Sequence, residues 1–176
     1  QKPQKKGADT WKKQVRGAKE PGGTLEGVAR WSKYKETDLT TDIPRIRVVA
    51  MPTDTNAAGD VFGGWSMSQM DLAAGTTAAF RANGRCATVA INSLVFLEPV
   101  VVGDEVSIYT DITRTGRTSL HIHVETWRRA RHTHITSKVT EGEFIFVALD
   151  EKRKPRPLPP AQPGDELPAP PCEQDA

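Results

Sequence analysis

MPTDTNAAGDVFGGWSMSQMDLAAGTTAAF, residues 51–80, sets a carboxylate among glycines directly ahead of a long segment with almost no charge. Over residues 63–80 the composition turns to Ala, Met, Leu and small polar residues, and Asp71 is the sole charge. That pattern predicts a helix covered on nearly every side. The small residues Gly64, Ala73, Ala74, Gly75, Ala78 and Ala79 would let a sheet come close to the helix axis, so the helix needs a wrapper.

The flanking sequence supplies one. Residues 44–51 begin with polar/apolar alternation and end apolar, as a strand entering a core does. Residues 52–59 read as a loop. Downstream, residues 87–97, 105–115, 119–129 and 137–149 are β-branched with period-two patches, divided by Pro99, Gly103-Asp104 and Gly116-Arg117. A strand, a buried helix and four strands joined mostly by short turns predict an α+β fold, an antiparallel β-sheet wrapped around one long central α-helix. Leu120, Ile122 and Val124 share one strand face and His121, His123 and Glu125 the other, which predicts a half-exposed strand. The strand with Val89, Ile91, Val95 and Phe96 is apolar on both faces, so we expect self-association to cover it.

The ends differ from this core. Of the 176 residues 37% are hydrophobic, and the deficit lies at the termini. Residues 1–42 are Lys-rich and without apolar period, so burial cannot offset the entropy of ordering them, and they read as a basic, flexible tail. Residues 156–176 read as a Pro-rich acidic tail, leaving 43–155 as the domain. The basic front, with Trp11, Trp31 and Tyr34 as stacking groups, is a possible nucleic-acid surface, but a solubilising tail is the favoured reading and no nucleic-acid partner is expected. Cys86 and Cys172 are too few for a disulfide framework, which fits a reducing, cytoplasmic setting. No apolar run approaches the roughly 18 residues a membrane span needs, and no signal peptide is read.

Asp60 stands a few residues before the helix, with Gly59, Gly63 and Gly64 around it. Glycine lets the backbone approach a ligand and leaves amide N–H groups unscreened. Amides at a helix start carry partial positive charge and can hold a developing oxyanion, while the same field favours an ionised carboxylate nearby. An anionic base beside an oxyanion hole is equipment for hydrolysing an activated acyl group, with water or the carboxylate itself as nucleophile. Taken alone, Asp60 reads more readily as a plain N-cap, and Asn56 equally as an Asx-turn residue or a polar part of the site.

The wider string from Asn56 to Asp71, N-A-A-G-D-V-F-G-G-W-S-M-S-Q-M-D, closely resembles the signature of hotdog-fold acyl-CoA thioesterases, the short bacterial acyl-CoA thioester hydrolase group. Further matches follow in order at Phe96-Leu97-Glu98-Pro99-Val100, Val102-Gly103-Asp104-Glu105-Val106, Thr115-Gly116-Arg117-Thr118-Ser119 and Lys154-Pro155-Arg156-Pro157-Leu158-Pro159. The resemblance implies a hotdog fold, dimers with continuous sheets and a hexamer built as a trimer of dimers. It places the catalytic carboxylate on Asp60, Asn56 in the active-site loop, and carbonyl polarisation on the amides around Phe62, Gly63 and Gly64. It also implies a site between two subunits, and a coenzyme A contact at Arg114, Gly116, Arg117, Thr118 and Ser119, where two guanidinium groups on a Gly-opened hairpin suit phosphate oxygens. A solvated hairpin tip is the alternative reading of Arg114 and Arg117.

Other signals are set lower. Met67 and Met70 are expected in the core, with Met67 able to brush an acyl chain. His121-x-His123 and His132-x-His134 have ligand spacing, but no Cys or acidic cluster accompanies them and Arg128, Arg129 and Arg131 would repel a cation, so no metal is expected. The basic turn at 128–134 is expected to face water, the alternative being a reach to a phosphate of coenzyme A. Ser68 and Thr77 lack a nucleophile elbow. No cofactor is expected beyond the coenzyme A of substrate and product. Two rival functions remain: an acyl-CoA sensor using the same pocket, and a hotdog dehydratase, which would want a His shortly after Asp60 where Val, Phe, Gly, Gly and Trp stand.

Overall fold

A computed structural model of the chain describes residues 43–161. The two sequence readings on residues 1–42 and on Cys172 fall outside these described residues.

The described residues form β1 (Ile46–Val49), a short 3-10 turn (Pro52–Asp54), α1 (Gly63–Ala82), β2 (Cys86–Phe96), β3 (Glu105–Thr115), β4 (Ser119–Arg129) and β5 (Thr136–Ala148). The strands make one antiparallel sheet in the order β1-β3-β4-β5-β2, and α1 packs on it. This is the expected architecture.

The helix meets the sheet through its small residues. Ala73, Ala74, Ala78 and Ala82 are fully buried with Met70, against Ile108, Leu120, Ile122, Val124 and Phe144 from the strands. A Cβ placed on Gly75 would lie 3.6 Å from the Phe146 ring, an ordinary contact distance, so sheet and helix axis approach as closely as side chains allow. Between the layers the Thr77 and Thr110 hydroxyls lie 2.7 Å apart, and Thr77 Oγ1 also donates to the Ala73 carbonyl.

Coverage of the helix is less complete than its composition predicts. Ser68, Leu72, Thr76 and Phe80 recur every four residues and form one exposed stripe, with Leu72 58% and Phe80 62% exposed. The described residues form a single sheet layer, and that layer can bury only one side of a helix. The opposite deviation occurs on β4: the face that alternation marked as half-exposed is buried at His123 and Glu125. β4 is the central strand, and Glu125 takes hydrogen bonds from Trp127 Nε1 (3.0 Å) and Lys138 Nζ (2.8 Å), so polar side chains cover this face.

Residues 156–161 also depart from the reading as solvated tail. Arg156 N donates to the Ala148 carbonyl, Leu158 N to the Arg117 carbonyl, and the Leu158 side chain is partly buried against the core.

Candidate active site

The loop ahead of α1 is a closed miniature hairpin. A bridge pairs Thr55 with Val61, and inside it Asn56 N donates to the Asp60 carbonyl at 2.8 Å. The Asn56 side-chain oxygen accepts the backbone N–H of Ala58 (2.9 Å) and of Asp60 (3.2 Å), so Asn56 builds the turn, as the Asx reading supposed. Gly59 closes the turn at φ +88°, a conformation that glycine reaches without strain. At the base, Phe62 N donates to the Asp54 carbonyl, and the Asp54 carboxylate accepts from Met51 N.

Asp60 is not the helix cap. The N-cap residue is Phe62, in an extended conformation, and no side chain caps the helix. The Asp60 carboxylate is exposed two residues earlier, and the N–H groups of Gly63 and Gly64 open the helix without a capping acceptor. Phe62 N and Trp65 N are taken up by the carbonyls of Asp54 and Phe62, so the amides left open among the described residues are those of Gly63 and Gly64, and at the positive end of a helix dipole they make a site for negative charge. The Phe62 ring, 56% exposed, folds back over Gly64 so closely that a Cβ there would collide with it. Gly63 faces the Phe96 ring at the end of β2, where a Cβ would lie 3.4 Å from the ring edge. Met67, one turn further, is half-buried. The structure therefore brings Asn56, Asp60, Phe62, Gly63, Gly64 and Met67 together at one end of α1.

The hairpin 114–119 lies elsewhere. It joins β3 to β4, and Gly116 N donates to the Ser119 carbonyl. The carbonyls of Arg117 and Thr118 accept from Leu158 N and Ala148 N, which places the tip beside the end of β5 and the C-terminal end of α1. The helix has 20 residues. At 1.5 Å per residue it is about 30 Å long, so within one chain Asp60 and Arg117 sit at opposite ends of it. Arg117 is exposed, whereas the Arg114 guanidinium reaches His121 Nε2 at 2.8 Å, with His121 Nδ1 3.5 Å from Glu143.

The basic turn does not simply face water. Arg128 contacts Asp104 (3.0 Å), Glu98 (3.4 Å) and the Ser137 hydroxyl (3.1 Å), and Arg129 grips the Glu105 carboxylate at 2.9 and 3.3 Å. The Arg129 guanidinium holds the Glu105 carboxyl below its ordinary range. His123, Glu125 and Glu141 offer ligand atoms within 4.8 Å of one another, a grouping that sequence spacing did not reveal. The Lys138 ammonium already joins Glu125 to Glu141, at 2.8 and 3.2 Å, so these carboxylates are ion-paired. Burial pulls the Lys138 ammonium down, but the two carboxylates outweigh it and raise it overall. Cys86 has no disulfide among the described residues and is half-buried, its thiol donating to the Ala78 carbonyl at 3.5 Å; burial pushes the thiol up, against the pull of Arg156, which suits a packing role and not a nucleophile. No described helix is long and apolar enough to cross a membrane.

Comparisons of sequence and fold find relatives among the thioesterases. Residues 58–134 match the model of the thioesterase superfamily. An uncharacterized acyl-CoA thioester hydrolase of Zymomonas mobilis is 53% identical over 117 residues, 66% of this chain and 78% of that protein. The acyl-CoA thioester hydrolase YciA of Salmonella typhimurium is 47% identical over 117 residues, 65% and 88% of the two chains. Among solved structures, a hexameric broad-specificity acyl-coenzyme A thioesterase superposes with a TM-score of 0.68 at 37% identity, over 76% of this chain and 90% of the other. The hexameric thioesterase of Yersinia pestis gives 0.65 at 43% identity, over 68% and 97%.

Proposed function

The chain belongs to the acyl-CoA thioester hydrolases of the thioesterase superfamily, with the hotdog fold, and we propose how its residues share the hydrolysis of acyl-CoA to a carboxylic acid and free coenzyme A. The observation that carries the reading is the exposed Asp60 carboxylate held by the Asn56 turn directly ahead of the uncapped amides of Gly63 and Gly64.

The thioester carbonyl oxygen lies against the amides of Gly63 and Gly64, which are aimed where negative charge develops. Asp60 then takes a proton from water as the water oxygen attacks the carbonyl carbon, or attacks that carbon itself and forms an anhydride that water opens. Collapse of the tetrahedral oxyanion expels the coenzyme A thiolate, which leaves as the thiol once protonated. The scheme uses no metal and no cofactor; coenzyme A enters only with the substrate. Phe62 and Met67 flank the acyl chain, and Arg114, Gly116, Arg117, Thr118 and Ser119 receive the nucleotide end.

A single chain leaves this mouth open to water, where amide dipoles act weakly on charge. The exposed stripe on α1 and the open edge of β2 support a second chain as the cover, and the separation of Asp60 from Arg117 along α1 supports a site shared between chains. We therefore extend the reading to dimers assembled as a hexamer, as the solved relatives are hexameric. We infer a reducing, cytoplasmic setting, a reading that the sparse cysteines support.

The test is thiol release from acyl-CoAs of increasing chain length by the parent and by Asp60→Asn. Loss of the general base should lower kcat by about 10²-fold or more with the assembly unchanged. A variant that hydrolyses at the parent rate would refute the role given to Asp60, and intact acyl-CoA recovered from both proteins would favour a binding protein.

A further inference from the structure

The C-terminal end of α1 carries an arrangement that the hydrolytic scheme does not use. Asn83 adopts a left-handed conformation and Gly84 follows with φ +149°. Their N–H groups return to the carbonyls of Phe80 and Ala79 and stop the helix. The next carbonyls, of Ala82 and Asn83, point out of the helix end and both accept from Arg156 Nη2, at 2.7 and 3.4 Å. The same guanidinium donates through Nε to Leu149 (3.1 Å) and through Nη1 to Pro157 (3.4 Å). Gly84 makes room for it, since a Cβ there would lie 2.8 Å from Nη2. Positive charge at the negative end of a helix dipole is favourable, and Arg is the residue that can satisfy several carbonyls from one planar fork.

Arg156 thus ties the segment after β5 to the helix end, and that segment holds the hairpin tip. Two residues on, Leu158 N donates to the Arg117 carbonyl at 2.9 Å, while Arg81 Nη1 reaches the Pro159 carbonyl at 3.1 Å. Ala148 N, whose own carbonyl accepts from Arg156 N, donates to the Thr118 carbonyl at 2.9 Å. Both residues at the crown of the tip are therefore held from outside by backbone that Arg156 organises.

We propose that Arg156 is a positioning residue for the coenzyme A end of the site: it fixes the strap 156–159, and the strap fixes Arg117 and Thr118 for the nucleotide phosphates. The inference rests on reading 114–119 as the coenzyme A contact. Because the hydrogen bonds of the strap go to the hairpin tip and to the C-terminal end of α1, the effect falls on recognition of the nucleotide and not on bond cleavage.

The experiment compares KM and kcat for a short acyl-CoA and for the same acyl group on pantetheine, which has the thioester but no nucleotide, using Arg156→Met, Arg156→Lys and Arg117→Ala. Loss of the Arg156 fork should raise KM for acyl-CoA by about tenfold and leave kcat and the pantetheine KM within about twofold of the parent. Arg156→Lys keeps charge beside Ala82 and Asn83 but loses the fork; it should fall between, and it carries the test if Arg156→Met does not fold. Equal losses on both substrates, or no change in the acyl-CoA KM, overturn the positioning role. If Arg117→Ala raises the acyl-CoA KM and neither Arg156 variant does, the inference fails while the coenzyme A reading stands. If Arg117→Ala leaves the acyl-CoA KM unchanged, the reading of the hairpin falls, and the inference with it.

Discussion

Asn56 holds Asp60 by a two-way grip: its backbone N–H donates to the Asp60 carbonyl and its side-chain oxygen accepts the Asp60 N–H. The carboxylate proposed to act at the thioester carbon is thereby placed by the residue four positions earlier. Asn56→Ala removes the acceptor for both Ala58 and Asp60. Misplacing a reacting group by about 1 Å can cost 10²-fold, so kcat should fall between tenfold and about a hundredfold. The bonds lost are exposed, and stability should change by no more than about 1 kcal/mol. Asn56→Asp retains the acceptor but lacks the side-chain N–H donors, so recovery of activity in it assigns Asn56 to building the turn. Failure to recover would assign it to contact with the substrate.

The Glu105–Arg129 pair gives a pH signature. Hydrogen bonding and charge from Arg129 lower the Glu105 carboxyl in the folded chain. The contribution is therefore present above the unfolded Glu value, about 4.3, and is lost as pH falls through the lower folded value. Glu105→Gln should melt below the parent at neutral pH, with the gap closing as pH drops under about 4. The pair is part-exposed, so the gap should also narrow in high salt. Thermal melts of both proteins at several pH values check this, and a gap constant across the range would show that the lowered carboxyl is not the cause.

Much of the fold was legible because local pattern and tertiary role coincide. β3 and β4 fall at their expected bounds since hairpin signals at Gly103 and Gly116 punctuate β-branched runs. The helix was betrayed by its lack of charge, and the Asn56–Gly64 string pointed to the candidate site. What sequence concealed depends on neighbours distant in the chain. Asp60 looked like a cap because Asp is a good one, yet the hairpin closed by Thr55 and Val61 moves the helix start to Phe62. His123 and Glu125 read as an outward face because alternation cannot tell a central strand from an edge. Arg156 was assigned to a solvated tail because proline-rich composition resists local structure, whereas its order comes from the carbonyls of Ala82 on α1 and Ala148 on β5.

The last prediction concerns the edge of the sheet. β2 is paired only with β5 among the described residues, and along its length Val89 is 57% exposed, with Ile91, Val95 and Phe96 also open. An 11-residue edge strand of this composition presents free backbone groups and apolar side chains together, which invites pairing with another copy. If that pairing covers the Asp60 mouth, assembly and activity must fail together. Val89→Lys puts a charge on the edge; burying it unpaired costs about 3 kcal/mol, enough to weaken association by about 10²-fold. Sedimentation should show smaller species at low micromolar concentration, with thiol release lost in the same range and regained as concentration rises. A variant that dissociates yet hydrolyses acyl-CoA at the parent rate would mean that one chain completes the site alone. One that stays assembled would move the contact from β2 to the exposed stripe of Ser68, Leu72, Thr76 and Phe80 on α1.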